Sequence, residues 1–274
     1  MTIRVGIGGW TFEPWRGTFF PKGLPHAREL EHASRQVTSI EVNGTFYRSQ
    51  TPKTFASWAA QVPDDFVFSL KAPRYATNRR VLAEAGESIA RFVDSGLAEL
   101  GDKLGPINWQ FPPTKQFDPE DFGAFLALLP ETTGGVALRH AVEVRHASFC
   151  TADFIALARK HKVAVIFADD DDYPAIADVT ADFVYARLQR AKEEEPNGYS
   201  DAALKTWHAR AKVWEGGGVP DDLPSYGEAA KGAKDKEAKD KGAKGKKKRD
   251  VFVYMINGAK VRAPAAAQAL LTLV

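Results

Sequence analysis

Five short segments of this chain place all their charged and amide side chains on one face. Residues 39–43 set Ser39, Glu41 and Asn43 against Ile40 and Val42, and residues 66–71 set Ser69 and Lys71 against Phe66, Phe68 and Leu70. Residues 107–111 set Asn108 and Gln110 against Ile107, Trp109 and Phe111, residues 141–146 set Glu143 and Arg145 against Val142 and Val144, and residues 184–189 set Arg187 and Gln189 against Val184, Ala186 and Leu188. Side chains alternate sides along a strand, so each segment has one apolar row and one polar row. Five polar rows need a shared interior that can satisfy them.

The rest of the chain repeats a strand-then-helix unit. Strands are predicted at 4–9, 38–43, 66–71, 106–111, 141–146, 163–168, 183–189 and 251–256. Helices are predicted at 26–35, from Pro52 with Thr51 as its cap, at 83–100, from Pro119, and at 151–161, 200–214 and 263–273. Parallel neighbours joined by right-handed crossovers close into an α/β fold, the (β/α)8 TIM-type barrel; an open doubly wound sheet is the alternative. Although 274 residues would suggest about two domains by length alone, barrels of about 250 residues are single units, so one domain over 1–274 is expected.

Composition narrows the function classes. The single cysteine, Cys150, rules out an internal disulfide and a Cys-rich zinc site. No stretch reaches the roughly 18 apolar residues of a membrane span, and Met1 leads almost directly into apolar Ile3, Val5 and Ile7 with no basic leader, so a cytoplasmic protein is expected. The net charge of +2 misleads: residues 228–249 carry ten Lys and Arg against four Asp and Glu, a local +6 that leaves about −4 for the remainder. This basic tract belongs to a low-complexity insert, 216–249, placed before strand eight. Its glycine-, lysine- and alanine-rich composition buries too little apolar surface to offset chain entropy, so disorder is expected there.

Reactive groups of such barrels sit at the carboxyl ends of the strands. Those ends supply Trp10, Glu41, Asn43, Phe46, Tyr47, Lys71, Gln110, Glu143, Arg145, His146, Arg187 and Asn257. A satisfied ionic core is one reading of them. Yet burying charges costs several kcal/mol each before pairing offsets it, and barrel interiors are normally filled with branched apolar side chains, so a ligand site is the expectation. Glu41 and Glu143 are candidates to divide acid and base work. Lys71 is a candidate base, Schiff-base amine or anion contact. Arg145 and Arg187 suit bidentate capture of an anion, and Trp10, Phe46 and Tyr47 can stack on a ring or roof the barrel. For a divalent metal, Glu41, Glu143, His146 and Asp169 offer oxygen and nitrogen ligands, but no tight spacing joins them and three cations stand nearby, so no metal is assigned and no cofactor is required. Gly6 and Gly8 begin a nucleotide-like loop, but Thr11 stands where the dinucleotide fingerprint has glycine.

Several motifs carry a family resemblance. Gly8-Gly9-Trp10, Trp15-Arg16-Gly17, Phe19-Phe20-Pro21, Glu41-Val42-Asn43-Gly44-Thr45-Phe46-Tyr47, Phe68-Ser69-Leu70-Lys71-Ala72-Pro73, Gln110-Phe111-Pro112-Pro113 and Val142-Glu143-Val144-Arg145-His146 are similar to those of the YecE-like family, domain of unknown function 72. The resemblance implies a TIM-type barrel and carries no settled activity. The chain departs from the pattern at Leu188-Gln189-Arg190, at the single Asn257 and in the lysine-rich insert. The expectation is an enzyme, a hydrolase, lyase or isomerase, acting on a small anionic polar substrate such as a sugar phosphate or nucleotide fragment. Alternatives are a nucleic-acid-binding protein or nuclease, whose affinity would fall with salt, and a non-catalytic ligand sensor.

Overall fold

The computed structural model describes residues 2–227 and 248–274. Its main sheet runs through β1 (Ile3–Gly8), β2 (Ser39–Val42), β3 (Val67–Lys71), β4 (Leu104–Gln110), β5 (His140–Glu143), β6 in two pieces (Ala164–Val165 and Phe167–Asp169), β7 (Phe183–Leu188) and β8 (Asp250–Met255). Every pairing in it is parallel, and β1 also pairs with β8. The first piece of β6 pairs with β5 and the second with β7, so the ring closes through the single residue Ile166, whose N–H donates to Val142 at 2.9 Å. The barrel is the one the alternation of elements requires.

Sequence chemistry explains where the outer helices begin. Thr51, Thr151 and Ser200 accept hydrogen bonds from the backbone N–H three residues on, and Asp118 accepts from Glu120 and Asp121; these cap the helices Pro52–Gln61, Ala152–Lys160, Asp201–Glu215 and Pro119–Ala127. The helix expected over 83–100 is shorter, Gly86–Val93. Gly96 breaks the path at φ 112°, and a Cβ there would come within 2.6 Å of Pro52. The first helix likewise contracts to Glu29–Ala33 behind a 3-10 turn at His26–Arg28. β5 stops at Glu143, so Arg145 and His146 belong to the following loop instead of to the strand.

Apolar rows face the helices, and the inward rows stack in layers. At the amino-terminal end Phe183 and Phe252 meet edge to face, with the Arg139 guanidinium 5.5 and 5.1 Å from their centroids. In the layer above, Ser39 donates to the Val67 carbonyl at 2.6 Å and lies 2.6 Å from the Tyr254 hydroxyl, which is also 2.6 Å from Ser69. With the Ser39 proton committed, Tyr254 donates to Ser39 and accepts from Ser69. Gly6 faces this layer because a Cβ there would fall 2.1 Å from the Ser39 carbonyl oxygen. Glu41, Lys71, Asn108, Glu143 and Arg187 form the next layer, all buried.

Part of the expected disordered insert has a defined course. Ala177 N–H donates to Pro224 at 2.8 Å, the buried Asp178 carboxylate accepts from Tyr226 and Gly227 at 2.7 and 3.0 Å, and Arg210 pairs with Asp222 at 2.7 Å. The lysine-rich tract itself, 228–247, lies outside the described residues. Among the described residues no helix is long and apolar enough to cross a membrane.

Candidate functional site

Arg187 is the centre of the upper layer. From β7 it reaches across the ring to both carboxylates: Nε and Nη2 each donate to Glu41 at 3.0 Å, and Nη1 donates to Glu143 at 2.6 Å. Tyr185 donates its hydroxyl to Glu41 at 2.6 Å. Arg145, beyond the end of β5, folds back so that Nε and Nη2 donate to Glu143 at 2.9 and 2.7 Å, while Nη2 also donates to Gln110 at 2.9 Å. Its flat face lies 4.3 Å from the Tyr173 ring centroid. Asn108 bridges the carboxylates from β4, its Nδ2 at 3.4 Å from both Glu41 and Glu143.

These pairings set the protonation states. Burial pushes the Glu143 carboxyl up, but Arg187, Arg145 and Lys71 outweigh it and hold it at about 2. Burial likewise pushes Glu41 up, and Arg187 with Lys71 carries it below the ordinary carboxylate range. Burial opposes the charge on Arg187, yet Glu143 and Glu41 raise it above its usual value. Burial and then Glu41 drive the Tyr185 phenol well up. Both carboxylates and Arg187 are therefore charged throughout the physiological range, and Tyr185 is a neutral donor.

Lys71 stands apart from this accounting. Among the described residues it has no ion pair or hydrogen bond from Nζ, which instead lies 4.4 Å from the centroid of Phe46. It is 8% exposed. Burial, then Arg187, lowers its ammonium from 10.5 to about 8, against an opposing pull from Glu41 and Glu143.

Glu41, Lys71, Gln110, Glu143 and Arg187 thus gather at one end of the barrel by the parity of their strands, and Phe46 and Arg145 join them from just beyond the ends of β2 and β5. Other expected site residues are used differently. Gly9, at φ 76°, turns the chain so that Trp10 packs edge-on to Trp58 at 5.3 Å, against the helical layer. Tyr47 leans on Phe46 edge-on and is 70% exposed. Asn43 donates to the Glu41 carbonyl at 3.4 Å, and the exposed Asn257 donates to Gln189 at 3.1 Å. His146 caps the turn Ala147–Phe149, accepting from the Ser148 N–H at 3.1 Å. Of the candidate metal ligands, Glu41 and Glu143 are bound by guanidinium groups and Asp169 pairs with Arg190 at 3.4 Å; among the described residues no group of three or more His, Cys, Asp or Glu side chains is placed to hold an ion.

Asn108, Tyr185 and Tyr173 join the site without having been singled out. Inward parity already marked Asn108, and Tyr185 shares the parity of Arg187. Nothing local in the sequence marks Tyr173, which arrives on the loop after β6.

A family model described as "Protein of unknown function DUF72" matches residues 4–274. A comparison with curated proteins finds no match. Among solved structures, a DUF72 family protein from Thermotoga maritima is 20% identical, with 99% of this chain and 97% of that one covered at a TM-score of 0.69. One from Enterococcus faecalis is 14% identical, covering 99% and 94% at 0.68. A D-psicose 3-epimerase crystallised in the presence of D-fructose is 11% identical, covering 98% and 97% at 0.51. At these identities the likeness establishes the barrel alone.

Proposed function

This chain belongs to the DUF72 family, the YecE-like family that its motifs resemble, and on that premise we propose that it is an enzyme acting on a small anionic polar substrate at the barrel mouth. The reaction is that of a hydrolase, lyase or isomerase, with Lys71 as the group that exchanges a proton with the substrate. One observation carries this reading: Lys71 is the layer's cation without a counter-ion in contact among the described residues, lowered to about 8. Roughly one molecule in ten then presents a free amine at pH 7, in the range where a general base is effective. Glu41 and Glu143 act as fixed negative charges that hold Arg187 and Arg145 in place, because carboxylates kept this acidic exchange protons poorly near neutrality.

The anion is received by Arg145. Glu143 and Gln110 take its Nε and Nη2, and Nη1 has no hydrogen-bond partner among the described residues. Arg187 is unsuited to that role, since each of its nitrogens already donates to a carboxylate. Incubation with mixtures of small phosphorylated and carboxylated metabolites, followed by mass spectrometry, tests the reading. The parent converts a component, Lys71→Met does not, and Arg145→Leu needs a higher concentration of it. Turnover that survives in Lys71→Met removes Lys71 from the chemistry. A sensor would instead show ligand-dependent stabilisation with no product.

A further inference from the structure

We propose that Lys71 forms a covalent imine with a small anionic aldehyde or ketone, and that Asn108 accepts the hydrogen bond of the imine N–H. This chemistry presupposes the reactive Lys71 of the proposed function and assigns it a substrate class. Three observations point to it. The first is the donor count. An ammonium carries three N–H donors, yet among the described residues Nζ meets no acceptor and rests against the ring of Phe46. The carboxylates of its layer are already engaged by Arg187, Arg145 and Tyr185. A protonated imine carries a single N–H and needs a single acceptor.

The second observation is an acceptor without a donor. Asn108 Oδ1 is buried and has no hydrogen-bond partner among the described residues. Its identity as oxygen follows from chemistry, because the other end of the amide faces two ionised carboxylates, which only accept. Lys71 and Asn108 are register partners on adjacent strands, with both side chains on the inward row. The third observation is charge. With Lys71 neutral, Glu41 and Glu143 balance Arg187 and Arg145. Iminium formation adds one positive charge, which a carboxylate or phosphate on the substrate, held by Arg145, offsets.

The step balances without a further reagent. The neutral Nζ lone pair attacks the carbonyl carbon, the C=O π pair moves to oxygen, and a proton passes from nitrogen to that oxygen to give a carbinolamine. The hydroxyl takes a proton from solvent and leaves as water, and the nitrogen lone pair forms the C=N bond. Nζ keeps one hydrogen, the one presented to Asn108. The product is an iminium whose electron demand weakens bonds at the adjacent carbon.

Reductive trapping tests this on the full-length chain. Cyanoborohydride delivers hydride to an iminium carbon and fixes it as a secondary amine. The probes are pyruvate, glyoxylate and glyceraldehyde 3-phosphate, with methyl pyruvate as an uncharged control, and adducts are mapped by peptide mass spectrometry. Expected is an adduct on Lys71 that forms at least tenfold faster than on the exposed lysines with one or more anionic probes. It should rise with pH through about 8, and methyl pyruvate should lose the preference for Lys71. Asn108→Leu should slow trapping at least tenfold while the thermal midpoint shows the chain folded; Asn108→Ala serves if Leu does not fold. Trapping on Lys71 no faster than on exposed lysines with all three anionic probes overturns the imine. Unchanged trapping in the Asn108 variant overturns the acceptor role. Arylation of Lys71 by trinitrobenzenesulfonate separates the two levels. A midpoint near 8 without any imine leaves the base reading standing, whereas a midpoint near the ordinary lysine value removes both.

Discussion

Arg187 and Lys71 share one layer of one barrel and are almost equally hidden, at 2% and 8% exposure, yet they occupy opposite chemical situations. Around Arg187 every nitrogen meets a carboxylate oxygen, and the guanidinium is held charged. Around Lys71 there is an aromatic face and, among the described residues, no contacting counter-ion, and the ammonium is weakened. Burial opposes the charge on both side chains, and the difference lies in what offsets it. The Arg187 side is a closed account of charge. The Lys71 side retains a cost that stability alone would remove, and such a residual is what a reactive amine requires.

The largest effect should come from opening the closed side. Arg187→Met leaves Glu41 and Glu143 buried without their shared partner, and removing one member of a buried pair costs about 3–5 kcal/mol. Urea unfolding should report that loss at pH 7, and a midpoint equal to the parent's would show that the cluster adds nothing to folding.

Acid should undo the same region. Glu143 is held at about 2 against 4.5 when free, so the folded state binds its proton less readily than the unfolded chain. That contribution is complete above pH 4.5 and is lost as pH falls toward 2; a shift of this size corresponds to about 3 kcal/mol. A Glu143→Gln variant should show a flatter loss of stability across that window. An identical slope would contradict the depressed carboxyl.

The open side should respond with the reverse sign. Because the Lys71 ammonium is disfavoured in the fold, Lys71→Met should raise stability at pH 7 by about 1–3 kcal/mol, while abolishing any turnover. In the parent, the unfolded chain holds this proton more tightly than the fold, so stability should climb between pH 8 and 10.5. The variant should lack that climb. A destabilised Lys71→Met would indicate that the lysine is a structural cation after all. The smallest effect is expected for Tyr185→Phe, which deletes one donor to Glu41 and should cost about 1–2 kcal/mol in a thermal or urea melt.

Much of the site was readable from alternation alone. Inward parity on β2, β3, β4, β5 and β7 brings Glu41, Lys71, Asn108, Glu143 and Arg187 into one layer once the ring is closed, and ring closure follows from the repeat of strand and helix. Pairings across the ring were not readable. That Arg187 spans from β7 to β2 and β5, leaving Lys71 on β3 without a partner, depends on side-chain reach across a closed cylinder, which no local spacing encodes. Residues just past the strand ends also escaped parity. Gly9 redirects Trp10 toward the helices, the early end of β5 frees Arg145 to fold back on Glu143, and Tyr173 comes from a loop remote in sequence. The defined course of 216–227 was hidden by its composition, because its order comes from Asp178 and Arg210 elsewhere in the chain.

The most direct test is the titration of Lys71 itself, followed by NMR on the intact chain with isotope-labelled lysine and assigned against Lys71→Met. A midpoint close to 8, well separated from the exposed lysines, is the result this account predicts. A midpoint at or above 10.5 would mean that the amine is an ordinary paired cation and that the mouth of the barrel holds no reactive group of the kind described.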